Sequence, residues 1–338
     1  MKKNYILIKF VALFTAVILF AGCNINYPGD TAGAGNNTGT ENRSPYSPSP
    51  VINNQESDNK MDASPSNNKE NTKGSTKENT SEKSPATASE KSTPTHSKDA
   101  NQAPADALDN TKYSWWIRLN DEHRTPEITP AIQKMIDDHG AIYVGDTSKK
   151  VVYLTFDEGY EMGYTPLILD TLKEHNVKAA FFITGGYIDS RPDLVKRMVD
   201  EGHIVGNHTV NHPSLPDVSS TVFENELRGL EIKFENLTGQ KFKYLRPPSG
   251  EYSQRTLEAA RQLGYVTVFW SFAYADWDTS VIRGAQYAHD IVMKNLHNGA
   301  IFLLHAVSKD NAEALDSIIR DIKAQGYSFE TLDKILVK

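Results

Sequence analysis

From residue 151 to the C-terminus, short apolar runs alternate with amphipathic segments of helical period, and this alternation restricts the fold more than any other feature. The strand-like runs are residues 151–156, 177–184, 204–206, 244–245, 265–271, 300–304 and 327–329. Helical patterns lie at 193–201, 223–237, 255–263, 285–296 and 312–324. Strands and helices repeated with short connections predict parallel strands joined by right-handed crossovers.

These strands predict an α/β fold, a small and distorted seven-stranded (β/α) barrel over residues 151–338. An open doubly wound sheet is the alternative, but no glycine-rich dinucleotide loop follows the first strand. Residues 111–150, with a helix predicted at 128–139, form an N-terminal extension of this domain. The adjacent Trp115 and Trp116 near its start are interpreted as packing anchors, with a sugar-stacking platform as the alternative.

The N-terminus has the pattern of an export signal. Basic Lys2, Lys3 and Lys9 precede an apolar run over residues 10–20, which is short for a membrane-spanning helix. Small residues then precede Cys23, the single cysteine of the chain. This arrangement resembles a bacterial lipobox, which implies a lipoprotein signal peptide over residues 1–23 and lipidation of Cys23. An ordinary secretory signal or an uncleaved anchor is the alternative.

Residues 24–110 are rich in Ser, Thr, Asn, Lys and Pro and contain few residues that could form a core. Such a segment cannot bury enough apolar surface to offset its conformational entropy, so a disordered linker is predicted. The net charge of −7 and the pI near 5.8 come without a basic stripe, so a nucleic-acid partner is not expected. Nothing in the sequence indicates an obligate protein partner, and a monomer is expected.

Candidate site residues lie at or just after the ends of five of the predicted strands. They are Asp157 and Glu158, His208 and His212, Arg246 and Tyr252, Asp276 and Trp277, and Leu303 and His305. Because the carboxyl ends of parallel strands meet at one rim of a β/α barrel, we expect these clusters to form a single site.

The residue types at this rim suit metal-assisted amide hydrolysis. His208 and His212 are four residues apart, and one carboxylate from the first strand would complete a catalytic metal site with room for water. Such ligands suit Zn, with Co, Mn and Fe as alternatives. The other acid could take a proton from water, and His305 could protonate the departing nitrogen. Arg246 could keep the base ionised, and Asp276 could orient His305.

Together these five motifs resemble the polysaccharide deacetylase family, the NodB-type carbohydrate esterases of family 4, from about residue 151 onward. The resemblance implies a distorted β/α barrel. It also implies Asp157 as general base, His208 and His212 as metal ligands, Arg246 and Asp276 as tuning residues, and His305 as general acid. Leu303 and Trp277 would line the acetyl pocket, and the backbone N–H of Tyr252 would help to hold the oxyanion.

Position 158 departs from this family pattern, in which a second Asp ligates the metal. Glu158 is one methylene longer and is predicted as a metal ligand, the alternative being a two-histidine site completed by water. Residues 113–115, 145–149, 155–161, 163–165 and 303–308 resemble the muramic δ-lactam de-N-acetylases, a subgroup that also varies at the second acid. In spore formers that subgroup acts in cortex formation.

The sequence therefore predicts a metal-dependent hydrolase that removes N-acetyl groups from peptidoglycan sugars, first of all N-acetylmuramic acid, and releases acetate. The enzyme would be lipid-anchored at the outer face of the cytoplasmic membrane, with its catalytic domain in the cell wall. One alternative is a deacetylase of N-acetylglucosamine, chitin-type oligomers or xylan. Another is a catalytically impaired wall-binding lipoprotein.

Overall fold

The computed structural model describes residues 104–120 and 122–336. The predicted signal peptide over residues 1–23, its Cys23 and almost all of the predicted linker lie outside the described residues. Within the described ranges, no helix combines the length and apolar character that crossing a membrane requires.

A curled parallel sheet forms the centre of the domain. Its strands are β2 (Val151–Glu158), β3 (Ala180–Ile183), β4 (Ile204–Asn207), β5 (Tyr244–Leu245), β7 (Val266–Thr267), β8 (Ala300–His305) and β9 (Ser328–Phe329). The order across the sheet is β7-β5-β4-β3-β2-β8, and β9 also pairs with β2. After β7 the chain returns to β8, where Phe272 forms a parallel bridge with Phe302. This seam joins the two ends of the sheet, and the predicted distorted β/α barrel is confirmed.

Helices cover the outside of the sheet. They are α1 (Pro130–Asp138), α2 (Thr165–Glu174), α3 (Gly185–Ser190), α4 (Pro192–Asp200), α5 (Ser220–Thr238), α6 (Gln254–Gln262), α7 (Ala285–Lys294), α8 (Lys309–Ala324) and α9 (Asp333–Leu336). Local sequence explains several starts, because Ser219, Ser253 and Ser308 each accept a hydrogen bond from a backbone N–H of the first turn.

The strand β2 has two buried faces. Val152, Leu154 and Phe156 point outward into the core between sheet and helices. Val151 and Tyr153 point inward into a smaller core inside the barrel. Since side chains alternate along a strand, Asp157 continues the inward series and Glu158 the outward series. This alternation sends the two adjacent acids to different sides of the sheet.

The segment before β2 packs on the end of the barrel. The strand β1 (Tyr113–Ser114) pairs antiparallel with β6 (Glu251–Tyr252). Trp115 is buried and stacks on Phe269 with ring centroids 4.4 Å apart, whereas Trp116 is 74% exposed. The packing interpretation therefore holds for Trp115 and not for its neighbour.

Candidate active site

An ion pair between Asp157 and Arg246 lies at the inner rim of the barrel. The fully buried Arg246 follows β5, and its Nη1 donates to Asp157 Oδ1 at 2.8 Å. Its Nη2 donates to Thr155 Oγ1 at 2.8 Å, and its guanidinium lies 4.1 Å from the centroid of the Phe182 ring. Burial is the largest single influence and would raise the pKa of Asp157, but the charge and hydrogen bond of Arg246 together with His208 and His305 outweigh it, and the pKa lies below its usual value. Asp157 is therefore an ionised, oriented carboxylate.

Two histidines face this carboxylate from the loop after β4. The Arg246 carbonyl lies 2.8 Å from His208 Nδ1, so Nδ1 carries the proton because a carbonyl only accepts. That leaves His208 Nε2 unprotonated, 3.5 Å from Asp157 Oδ2. The His212 ring lies edge-on to the His208 ring at a centroid distance of 4.8 Å. Burial lowers the pKa of His208 to about 4 and also lowers that of His212, so both imidazoles are neutral at pH 7.

The loop that presents these histidines is compact and does not form a helical turn. Thr209 and His212 have φ angles of 69° and 57°, in the left-handed region that non-glycine residues seldom adopt. Two hydrogen bonds hold this conformation: Thr209 N donates to Asn207 Oδ1 at 2.8 Å, and His212 N donates to Thr209 Oγ1 at 2.9 Å. The local backbone thus fixes the His212 ring beside His208.

His305 lies directly across from Asp157, since the two residues are register partners in the β2–β8 pair. Its Nδ1 is 2.7 Å from Asp276 Oδ1, and its backbone N donates to Asp276 Oδ2 at 2.8 Å. Burial lowers the pKa of His305, but the Asp276 carboxylate more than compensates and the pKa is raised. The rim therefore places an imidazole whose protonated form is favoured opposite an ionised carboxylate.

Sequence reasoning missed the residues that hold Asp276. Asn311 Nδ2 donates to Asp276 Oδ2 at 2.5 Å, and the Tyr274 hydroxyl donates to Asn311 Oδ1. Asn311 lies in the first turn of α8, three residues after the capping Ser308, whose Oγ accepts its backbone N–H. That cap was a readable signal for the start of a helix, but it did not show that the Asn side chain would reach a carboxylate on another loop.

Glu158 lies away from the histidines, on the outer face of β2. Its carboxylate oxygens are 3.3 and 3.4 Å from Thr165 Oγ1. The nearby Glu161 accepts from the Tyr187 hydroxyl at 3.2 Å and from the backbone N–H groups of Gly163 and Thr165. Burial and then the Glu161 charge raise the pKa of Glu158 well above its usual value. This geometry favours the two-histidine alternative over Glu158 as a metal ligand.

Three further residues were predicted to line the substrate pocket. Leu303 is buried and shares the inner face of β8 with His305. Trp277 is 56% exposed, and its ring centroid lies 5.7 Å from that of His305. The Tyr252 side chain is buried against Phe269, with ring centroids 4.9 Å apart. The structure thus brings Leu303 and Trp277 to His305.

The side chains at this rim supply some of the ligands that a divalent metal ion needs, and water would supply the others. In the part of the chain that the structure describes, no three His, Cys, Asp or Glu side chains gather closely enough to hold a metal as placed. The unprotonated Nε2 of His208, the neutral His212 ring and the Asp157 carboxylate nevertheless converge on one side of the rim. Two imidazoles with positions left for water are suitable for a catalytic metal, and the bond from His208 Nδ1 to a carbonyl is the usual outer support.

The fold and the site define this chain as a β/α-barrel protein whose rim carries a carboxylate and three histidines in the arrangement of a hydrolytic active site. The profile of the polysaccharide deacetylase family matches residues 144–268. An uncharacterized 30.6 kDa protein of Geobacillus stearothermophilus is 47% identical over 233 residues, which is 69% of this chain and 88% of that protein. The peptidoglycan-N-acetylmuramic acid deacetylase PdaA of Bacillus subtilis is 44% identical, covering 69% of this chain and 89% of PdaA.

The fold gives the same result. The solved structure of Bacillus subtilis PdaA, a family 4 carbohydrate esterase, superposes with a TM-score of 0.67 at 43% identity, covering 68% of this chain and 98% of that one. This chain belongs to the polysaccharide deacetylase family. Members of the family are metalloenzymes in general.

Proposed function

We propose that this protein is a metal-dependent N-deacetylase that hydrolyses the acetamido group of N-acetylmuramic acid in peptidoglycan and releases acetate. The observation that carries the proposal is that Asp157, an ionised carboxylate, faces His305 across adjacent strands, beside two neutral histidines, while Asp276 holds the His305 ring and favours its protonated form. Amide hydrolysis needs a base for water and an acid for the departing nitrogen, and this rim supplies both.

His208 and His212 would hold the metal, with water completing its coordination and zinc as the proposed ion. When bound, a divalent ion there supplies Lewis acidity, which polarises the amide carbonyl and makes water easier to deprotonate. Asp157 accepts the proton of the attacking water, and Arg246 keeps that carboxylate ionised until it does so. The Tyr252 backbone N–H is proposed to donate to the developing oxyanion.

His305 then delivers a proton to the nitrogen as the C–N bond breaks, because an amine anion is a very poor leaving group. Asp276 fixes the orientation of the ring through Nδ1, which leaves Nε2 as the donating atom. Leu303 and Trp277 would enclose the methyl group of the acetyl. Acetate leaves, and the sugar retains a free amine.

The test is acetate release by the full-length protein, with and without added zinc, on peptidoglycan, peptide-stripped glycan strands, chitooligomers and acetylated xylan. We expect the glycan strands to lose the mass of one acetyl group on muramic residues. Release from chitooligomers or xylan alone would keep the chemistry and change the substrate. Absence of release from every substrate, with or without zinc, would contradict the activity and favour a wall-binding protein.

The residues before position 104 support the location of the enzyme. We propose export, lipidation of Cys23 and a tether over residues 24–110 that places the catalytic domain in the cell wall. Labelled palmitate should enter the wild-type protein and not Cys23→Ser, and the variant should move from the membrane to the medium. Membrane retention of an unlabelled Cys23→Ser protein would instead indicate an uncleaved anchor.

A further inference from the structure

The loop that carries the two proposed metal ligands is held by residues outside the site. This histidine loop, residues 208–219, runs from the end of β4 to the start of α5. Two buried charged residues that take no part in the proposed reaction contact it, Glu226 of α5 and Arg255 of α6. Burial of a charge costs free energy unless hydrogen bonds replace its lost hydration. The partners of these two side chains therefore indicate why charges are buried here.

Glu226 holds the residue that precedes His212. Its Oε2 accepts the backbone N–H of Asn211 at 2.8 Å, and its Oε1 accepts from Asn211 Nδ2 at 2.7 Å. The backbone carbonyl of Glu226 also accepts the N–H of Val210 at 3.2 Å. One carboxylate thus fixes both the backbone and the side chain of the residue next to a proposed metal ligand.

Arg255 holds the segment that follows His212. Its Nη2 donates to the Val218 carbonyl at 2.9 Å and lies 3.3 Å from the carbonyl oxygens of Leu215 and Pro216. Only two residues separate this held segment from His212, and one of them is a proline, whose φ angle is fixed. The guanidinium therefore limits how far the backbone after the histidine can move.

The conformation of His212 requires such support. Its left-handed φ angle is costly for a residue other than glycine, and costly backbone conformations persist where the surrounding structure determines them. The two charges suit the two sides of the loop, because a carboxylate accepts from N–H groups and a guanidinium donates to carbonyls. Metal ligands bind best when groups around them fix their orientation before the metal arrives.

We propose that Glu226 and Arg255 are positioning residues that hold the histidine loop on both sides of His212 and orient its imidazole for the metal. We call this pair the loop clamp. It acts through the loop backbone and not on the substrate. The proposal rests on the proposed function in one respect, because it takes His208 and His212 as metal ligands.

The experiment compares variants of the full-length protein. Glu226→Gln replaces one acceptor oxygen with an NH₂ group, and Arg255→Lys replaces the planar fork of donors with a single ammonium. Asn211→Ala removes one hydrogen bond to the clamp at an exposed residue, so this variant should fold even if the buried ones do not. The matched controls Glu224→Gln and Arg261→Lys repeat the substitutions on α5 and α6, at ion pairs that lie within one helix.

Two measurements are made below the melting transition of every variant. Competition with a chelator gives zinc affinity, and the visible absorption of cobalt-loaded protein reports the arrangement of the ligands. Glu226→Gln and Arg255→Lys should each weaken zinc binding by about three- to tenfold and alter the cobalt spectrum. The loss should be smaller than for a group bonded directly to a ligand, because the clamp acts through the backbone. Asn211→Ala should weaken zinc binding by about twofold, and the controls should match the wild type.

Unchanged zinc affinity and cobalt spectra in the folded clamp variants would overturn the proposal, and so would equal losses in the controls. Absence of zinc binding by the wild-type protein would overturn it together with the metal site. Acetate release is assayed separately. Weaker zinc binding in the clamp variants without acetate release by the wild type would reject the proposed function and keep the clamp. Acetate release with unchanged zinc affinity in those variants would reject the clamp alone.

Discussion

The side chains of Asp157 and Glu158 lie in opposite chemical environments, although the two residues are neighbours on one strand. The inner side offers the Arg246 guanidinium and three imidazoles, so Asp157 is held ionised. The outer side offers two hydroxyls and a second carboxylate, so Glu158 is held toward its neutral form. The side of the sheet that a carboxylate faces, more than its residue type, therefore decides whether its ionised or its neutral form is favoured at this rim.

The largest expected effect is on turnover. Asp157→Asn should lower kcat for acetate release by about 10³-fold, because it removes the base while leaving the shape of the side chain. Glu158→Gln should stay within about threefold of the wild type, since its carboxylate faces Thr165. Both are measured on glycan strands at saturating zinc, with circular dichroism to check folding. Comparable losses in the two variants would break the comparison.

The second largest effect is expected on zinc affinity, which should fall for a substitution on the inner side of the sheet and not for one on the outer side. His212→Ala should weaken zinc binding by about 10²-fold or more, because one of two imidazole ligands is lost. Glu158→Gln should hold zinc as well as the wild type does. Zinc content after dialysis against graded chelator gives both affinities without reference to activity. If Glu158→Gln loses zinc as His212→Ala does, Glu158 is a ligand and the outer position of its side chain changes when metal binds.

A smaller effect is expected on pH dependence. In the proposed mechanism His305 acts in its protonated form, so activity should fall as pH rises through the pKa of that residue, which the Asp276 carboxylate raises. Asp276→Asn removes the charge, so the pKa falls and the alkaline limb of the kcat profile should move to lower pH. We also expect about a tenfold loss at the optimum, because the ring is less firmly oriented. An unmoved alkaline limb would assign that limb to a different group.

The smallest effect is on stability. As pH rises above the usual 4.5 of a glutamate, the unfolded chain releases the Glu158 proton while the folded chain retains it, so stability falls toward the raised folded pKa. Glu158→Gln stays neutral and should melt about 2–4 °C above the wild type at pH 8, the shift that about 1 kcal/mol produces in a domain of this size. A variant that melts lower at pH 8 would mean that the carboxylate is ionised and paired.

Much of this arrangement was predictable because it depends on local pattern. Apolar runs located the strands, and the rule that parallel strands end at one rim gathered Asp157, His208, Arg246 and His305. The structure places all four there. The helix α2 was not among the predicted helices, although Pro166 in its first turn is a common start signal.

What the sequence did not reveal depends on contacts between distant segments. The two-residue pairing of β1 with β6 joins positions far apart and has no periodicity to detect. Asn311 reaches Asp276 only after α8 has docked. Alternation along β2 sends Asp157 and Glu158 to different sides of the sheet, but only the docked α2 and α3 show that the outer side is already occupied by Thr165 and Tyr187.

The left-handed backbone of His212 has a consequence for how this lineage can change over time. Only glycine, asparagine and aspartate, besides histidine itself, accept that conformation with ease, whereas β-branched residues there would distort the loop. Most substitutions at position 212 would therefore disturb the loop conformation, whatever their effect on activity. A descendant that loses the imidazole should therefore carry glycine, asparagine or aspartate at this position. Asparagine and aspartate offer a side-chain oxygen as a metal ligand, so such a descendant should bind metal more weakly before it becomes inactive.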